Sequence, residues 1–162
     1  LTSGRLRLVA RPLDVAAFAP FGTVIEPEPT AVRRDHSAGL SSLRGAAAPY
    51  LSTTTVAPVT LPLVTDVLER HAFSSQSFLP LDAASYLVVV APDAGGRPDV
   101  GAALAFIVPG ALGITYHAGV WHHPMAALGR PARFAILMWC DGTAGDEEVL
   151  RLPPFEIANA VS

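Results

Sequence analysis

Proline and glycine punctuate this sequence so closely that long regular helices have no room: 15 Pro and 13 Gly interrupt 162 residues. Few windows longer than about a dozen residues carry a helical period, whereas short runs rich in β-branched and aromatic residues recur between the breaks. The expected strands are "RLRLVA", "GTVIE", "YLSTTTVA", "VLERHAF", "QSFLPL", "SYLVVVAP", "LAFIVP", "GITYH", "PMAAL" and "RFAILMW". Many short strands fold as a sandwich or barrel, so the expected class is mainly β. Helix is expected only locally. "LDVAAFAPFG" has Asp14 to cap its start and Pro20 to stop it, and Asp99 can cap a turn at "PDVGAALAF".

A hydrophobic share of 51% supplies a core at this length, and one domain over residues 1–162 is expected. Net charge is −3 and the basic residues, all eleven of them Arg, are scattered, so no basic face is available for a phosphate backbone. Nucleic acid is not an expected partner. The absence of Lys excludes Schiff-base chemistry and a P-loop lysine. Cys140 stands alone, which rules out an intrachain disulfide and suits a reducing compartment. The longest apolar runs are too short to cross a bilayer, and the first residues lack the apolar core of a secretory signal. The expectation is a cytoplasmic protein without membrane contact.

Chemistry concentrates at the histidines. Three of the five, His117, His122 and His123, lie within "HAGVWHH". In "LERHAFSSQSFLPL" an extended strand would put Glu69 and His71 on one face, and a turn at "FSS" would return Gln76 beside them. Adjacent His122 and His123 have opposite parity, so one should point inward and the other outward. Polar side chains on otherwise apolar strands, where a core would prefer Val or Leu, point to a site. Arg70, of opposite parity to Glu69, is expected to face solvent or a neighbouring subunit. Residues 27–48 read as a long loop carrying His36 and Arg44, and residues 141–149, "DGTAGDEEV", as a plain solvated acidic turn.

"HAGVWH" has the form of the second metal motif of cupins, with a Gly three residues before the last histidine ligand, and Glu69, His71 and Gln76 fit part of the first motif. Together "LERHAFSSQSFLPL" and "GITYHAGVWHHP", with "FAPFGTVIE", "SYLVVVAP" and "LAFIVPG" in order, make the chain resemble the ureidoglycolate lyase family from about Pro12 to Asp141. Family members often carry Asn-Gly and then Arg in the early loop, where this chain has Ala38-Gly39 and a displaced Arg44. Their last strand often ends in Asp-Arg, where this chain reads "MWCDG".

The resemblance implies a cupin-type, jelly-roll-like β-barrel that cleaves (S)-ureidoglycolate to glyoxylate and urea in the breakdown of allantoin and other purine nitrogen. It implies a divalent metal, nickel first, held by Glu69, His71, Gln76 and His122; spacing leaves zinc and manganese open. A metal-free arrangement in which Glu69 and Gln76 bond substrate directly also stays open. His122, His71, Tyr116 and His123 are the candidate catalytic residues, and Glu69, Gln76, Trp121 and Arg44 the candidate substrate contacts. Tyr116 is equally a wall residue. A homodimer is expected, because cupins commonly bury a barrel face or exchange edge strands. The alternatives are another metal-dependent cupin enzyme acting on a small hydroxy or keto acid, and a non-catalytic cupin that binds a small ligand.

Overall fold

The computed structural model describes residues 5–160. It opens with β1 (Arg7–Pro12), the single turn of helix α1 (Val15–Phe18) and β2 (Gly22–Ile25). There follow β3 (Ala48–Val56), β4 (Pro58–Val59), β5 (Leu63–Arg70), β6 (Gln76–Pro80), β7 (Ser85–Ala91) and β8 (Leu104–Pro109). The chain ends with β9 (Gly113–Tyr116), β10 (Trp121–His122), β11 (Ala126–Leu128), β12 (Ala132–Cys140) and β13 (Glu148–Asn159). The mainly β class is as the punctuation requires. Asp14 caps α1 by accepting from the Ala16 and Ala17 amides, and the helix stops two residues short of Pro20. Asp99 likewise caps a 3-10 turn at Val100–Ala102.

Two layers make the barrel. Strands β5, β13, β1, β8, β7 and β10 form a closed ring, because β10 pairs with both β5 and β7. Every strand of that ring sends residues into one core: Leu8 and Ala10, Leu68, Leu87 and Val89, Ala105, Trp121, and Phe155 with Ile157. The second layer is the antiparallel sheet β2-β9-β6-β12-β3. It packs Phe78, Ile114, Tyr116 and Phe134 onto Tyr86, Val88, Val90, Phe106 and Val108 from the outer face of β7 and β8. This is the cupin-type, jelly-roll-like arrangement, with few and short helices.

Strand β7 is therefore a wall shared by two cores. That explains why "YLVVVA" is apolar without alternation: a strand buried on both faces has no solvent side to keep polar. Arg70 lies on the face opposite Glu69, as strand parity requires. It stacks on the Trp121 ring at 4.3 Å and pairs with the partly exposed Glu148 at 2.7 Å and Asp93 at 3.0 Å. Its parity follows Leu68, into the end of the ring, and two carboxylates neutralise it there.

The strand reading is also corrected at β5 and β13. β5 begins at Leu63 and ends at Arg70, so His71 lies just beyond it. β13 was not expected at all: Pro153 and Pro154 interrupt its pattern, and the structure accommodates them where its register against β5 shifts between Arg151 and Phe155. Among the described residues no helix is long and apolar enough to cross a membrane.

The double-sided wall yields a stability prediction. Val88→Ala and Val89→Ala, each deleting two buried methyl groups, should each cost about 2 kcal/mol in urea unfolding, nearly additively because they face separate cores. Val64→Ala, at a half-exposed position, should stay within about 0.5 kcal/mol, and equal losses at all three would contradict the two-core architecture.

Candidate metal centre and active site

His122 and Glu69 are opposite one another in the β10–β5 pair, and His122 is also opposite Val90 of β7. Directly opposed residues share a face, so His122 and Glu69 project with Val90 toward the core between the layers. Trp121, one residue earlier, projects into the ring. His71 reaches the same place from the turn after β5. Its carbonyl accepts the Gly119 amide at 2.9 Å, and Gly119 has φ +80°, a conformation that glycine adopts without strain. The glycine of "HAGVWH" thereby ties one histidine segment to the other. Gln76 begins β6, faces Tyr116 of β9, and brings its amide to the same end of the barrel.

The ligating atoms of Glu69, His71 and His122 all lie within 4.8 Å of one another. Glu69 Oε1 is 3.5 Å from His122 Nε2, and the His71 and His122 rings are 5.6 Å apart. Tyr116 stacks on His122 at 4.1 Å and 15°. Each imidazole is fixed through its other nitrogen: His71 Nδ1 donates to the Asp146 carbonyl at 2.8 Å, and His122 Nδ1 to the Val120 carbonyl at 2.9 Å. A proton committed at Nδ1 leaves the Nε2 lone pair free.

Those lone pairs have no protein partner. Four buried side-chain nitrogen or oxygen atoms lack a hydrogen bond among the described residues, and three of them are His71 Nε2, His122 Nε2 and Gln76 Oε1. Gln76 Nε2 is turned onto the Met138 sulfur at 3.8 Å, which leaves its oxygen free. Buried polar atoms are ordinarily satisfied, so imidazole acceptors left bare beside a carboxylate fit a cation. Two imidazoles and a carboxylate this close can hold a divalent ion.

Burial pushes the His71 imidazole below its usual pKa, against the opposing pull of the Asp146 carbonyl, so it stays neutral and available. Burial would raise Glu69, but the neighbouring imidazoles of His122, His71 and His123 outweigh burial and hold the carboxyl below its ordinary value. Tyr116 goes well up, through burial and then the nearby Tyr86 and Glu69, so its phenol keeps its proton.

Other expected site residues sit elsewhere. Trp121, expected as a substrate contact, instead fills the ring core and donates to Asp93 at 2.9 Å. His123 has a partner for each nitrogen, Thr65 Oγ1 at 3.0 Å and the Pro124 carbonyl at 2.7 Å, which leaves no free atom for proton relay. Arg44 does not present a free guanidinium to a substrate, because both terminal nitrogens engage Asp141 and Asp146. Residues 141–149 are correspondingly not a plain solvated turn. Asp146 was missed, and sequence had no signal for it: its contacts with His71 and Arg44 span 75 and 102 positions. His36 lines a shallow pocket of about 260 Å³ with Ile25, Leu40 and Leu79, away from the cluster.

A strand-built barrel that turns ligand-ready imidazoles inward from two neighbouring segments is of the cupin class. Within that class the chain belongs to the ureidoglycolate lyase family, whose model it matches over residues 5–157. A ureidoglycolate lyase of Rhizobium etli (strain CIAT 652) is 38% identical over 162 residues, covering 94% of this chain and 96% of the relative. Those of Burkholderia mallei (strain NCTC 10229) and Stutzerimonas stutzeri (strain A1501) are each 38% identical, covering 80% of this chain and 81% of their own. A solved dTDP sugar isomerase from Desulfovibrio desulfuricans G20 superposes with a TM-score of 0.50 at 21% identity, over 82% of this chain and 80% of that one, and shows the shared fold.

Burial of two histidines sets the pH response. His71 and His123 are both pushed below 6.5 chiefly by burial, so as pH falls through 6.5 the unfolded chain takes up protons that the folded one refuses. Unfolding free energy should therefore drop from pH 7 to pH 5 in metal-free protein, and His123→Gln should flatten part of that slope. A flat or rising profile would contradict the burial of these imidazoles.

Proposed function

We propose that this chain is a metal-assisted ureidoglycolate lyase that converts (S)-ureidoglycolate to glyoxylate and urea. The observation that carries the metal is the convergence of bare His71 Nε2 and His122 Nε2 on the Glu69 carboxylate, with the unpaired Gln76 Oε1 as a further acceptor. The activity rests on membership of the family and on the length over which the chain matches its relatives.

The substrate is a hemiaminal, with hydroxyl and ureido nitrogen on one carbon beside a carboxylate. Cleavage removes the hydroxyl proton, converts that C–O bond to the carbonyl of glyoxylate, and sends the C–N electron pair to the ureido nitrogen. That nitrogen takes a proton and leaves as urea, so protons balance without a water molecule. Glu69, His71, Gln76 and His122 would hold the ion, which when bound lowers the pKa of the substrate hydroxyl and offsets the charge of its carboxylate. Nickel is the first candidate, and a mixed imidazole and oxygen set also suits zinc or manganese.

The protein's own groups divide the proton work. Glu69, held ionised at neutral pH, is suited to accept the hydroxyl proton through its second oxygen. Tyr116, held protonated and stacked on His122, is suited to donate toward the leaving nitrogen. The layers exclude bulk water: His122 and Tyr116 are each 1% exposed. The Cys140 thiol is pushed up by burial, then by Asp146, which disfavours it as a nucleophile for attack on the ureido carbonyl. The assembly proposed is a cytoplasmic homodimer. It is supported by β3, a nine-residue edge strand paired only with β12 and carrying exposed Tyr50 and Leu51.

Product counting tests the reading. One urea per glyoxylate is expected above a no-enzyme control, from a species of twice the 16.9 kDa chain mass with a near-stoichiometric divalent ion. His122→Ala should remain folded, lose the ion and lower turnover by about 10²-fold or more. Ammonia released in step with glyoxylate, in a urease-free preparation, would overturn the lyase assignment; full activity in chelator would overturn the metal.

A further inference from the structure

The acidic loop grips Arg44 at the back of the metal centre. Arg44 Nη1 lies 2.9 Å from Asp141 Oδ2 and donates to Thr143 Oγ1 at 3.3 Å, while Nη2 pairs with Asp146 Oδ1. Asp146 also closes its own loop, accepting from the Asp141 amide at 3.0 Å and the Gly142 amide at 2.8 Å. Its backbone carbonyl is the one that takes the His71 Nδ1 proton. Gly145 leaves room for this: a Cβ there would sit 3.2 Å from Arg44 Nη1 and 3.5 Å from the Phe73 ring.

The other end of Arg44 is fixed to the turn that carries His71. Leu43 N donates to the Phe73 carbonyl at 2.8 Å, Ser41 N to Ser75 Oγ at 2.8 Å, and Ser75 N back to the Ser41 carbonyl at 3.0 Å. The guanidinium lies 5.1 Å from the centre of the Phe73 ring. Arg44 thus joins the segment holding His71 to the loop holding the partner of His71.

We propose that Arg44 is a positioning residue: by clasping Asp141 and Asp146 it holds the Asp146 carbonyl in place and so fixes the tautomer and aim of His71. The consequence for catalysis rests on the lyase reading above; the clasp itself does not. A planar guanidinium spans both carboxylates, whereas a lysine ammonium presents one point charge and would satisfy one of them. A carbonyl released from the clasp no longer commits the proton to Nδ1, and part of the His71 population then carries it on the ligating Nε2.

The test uses metal-free, ¹⁵N-histidine-labelled protein, wild type beside Arg44→Met, Arg44→Lys and Asp146→Asn, with the His71 tautomer read by long-range ¹H–¹⁵N correlation. Calorimetric titration with Ni²⁺ follows on the same samples. Wild type should show Nδ1–H at His71. Arg44→Met, which keeps an apolar contact with Phe73, should mix the tautomers, weaken Ni²⁺ by about tenfold or more and lower kcat with little change in KM, while Arg44→Lys recovers part of each. If Arg44→Met does not fold, Asp146→Asn, which retains the carbonyl but removes the charge, is expected to give the same mixing. An unchanged tautomer with Ni²⁺ affinity within about twofold of wild type, or a rise in KM alone, would overturn the positioning role. Wild-type protein that shows the tautomer but makes no urea would sink the function and leave the clasp standing.

Discussion

Two residues close the ring. Strand β10 is only Trp121 and His122, yet it bridges β5 and β7 and converts an open sheet into a barrel. Its two side chains part to opposite faces, as strand geometry demands. Trp121 completes the ring core under Arg70, and His122 stands beside Glu69 at the site. Barrel closure and placement of a ligating imidazole are therefore a single packing event, and a change that opens β10 removes both.

The same closeness sets an energetic conflict inside the protein. Each buried acceptor without a partner costs on the order of 1–3 kcal/mol, and His71 Nε2, His122 Nε2 and Gln76 Oε1 are three such atoms. Backbone carbonyls from Asp146 and Val120 prevent the obvious relief, a ring turning to donate Nε2–H elsewhere, because they already hold the Nδ1 protons. A cation satisfies all three acceptors and the Glu69 charge together. Binding energy is thus stored as preorganisation: the layers contribute the stability that keeps the acceptors bare, and an ion recovers it.

Much of this was legible in the sequence, for identifiable reasons. Strand parity and motif spacing point to Glu69, His71 and His122, whose ligating atoms the structure brings within 4.8 Å of one another, although His71 arrives from a turn beyond Arg70 and not along a strand. Local chemistry also reads well: Asp14 and Asp99 cap the elements they precede. What escaped was decided at long range. Parity distinguishes Trp121 from His122 but cannot say which face meets the second layer. Pro153 and Pro154 mask β13, because the register shift that tolerates them exists only in the pair. Asp146 looks like one more solvated acid until the fold carries Arg44 and His71 to it.

The central claim is that the Nε2 atoms of His71 and His122 converge on a metal ion with Glu69 and Gln76. X-ray absorption spectroscopy of the nickel-loaded protein addresses it most directly, since imidazole rings leave a distinctive multiple-scattering pattern. The account predicts two imidazoles with oxygen donors in the coordination sphere of wild type, falling to one imidazole in both His71→Gln and His122→Gln. A coordination sphere of oxygen alone, or an imidazole count that neither substitution changes, would contradict it.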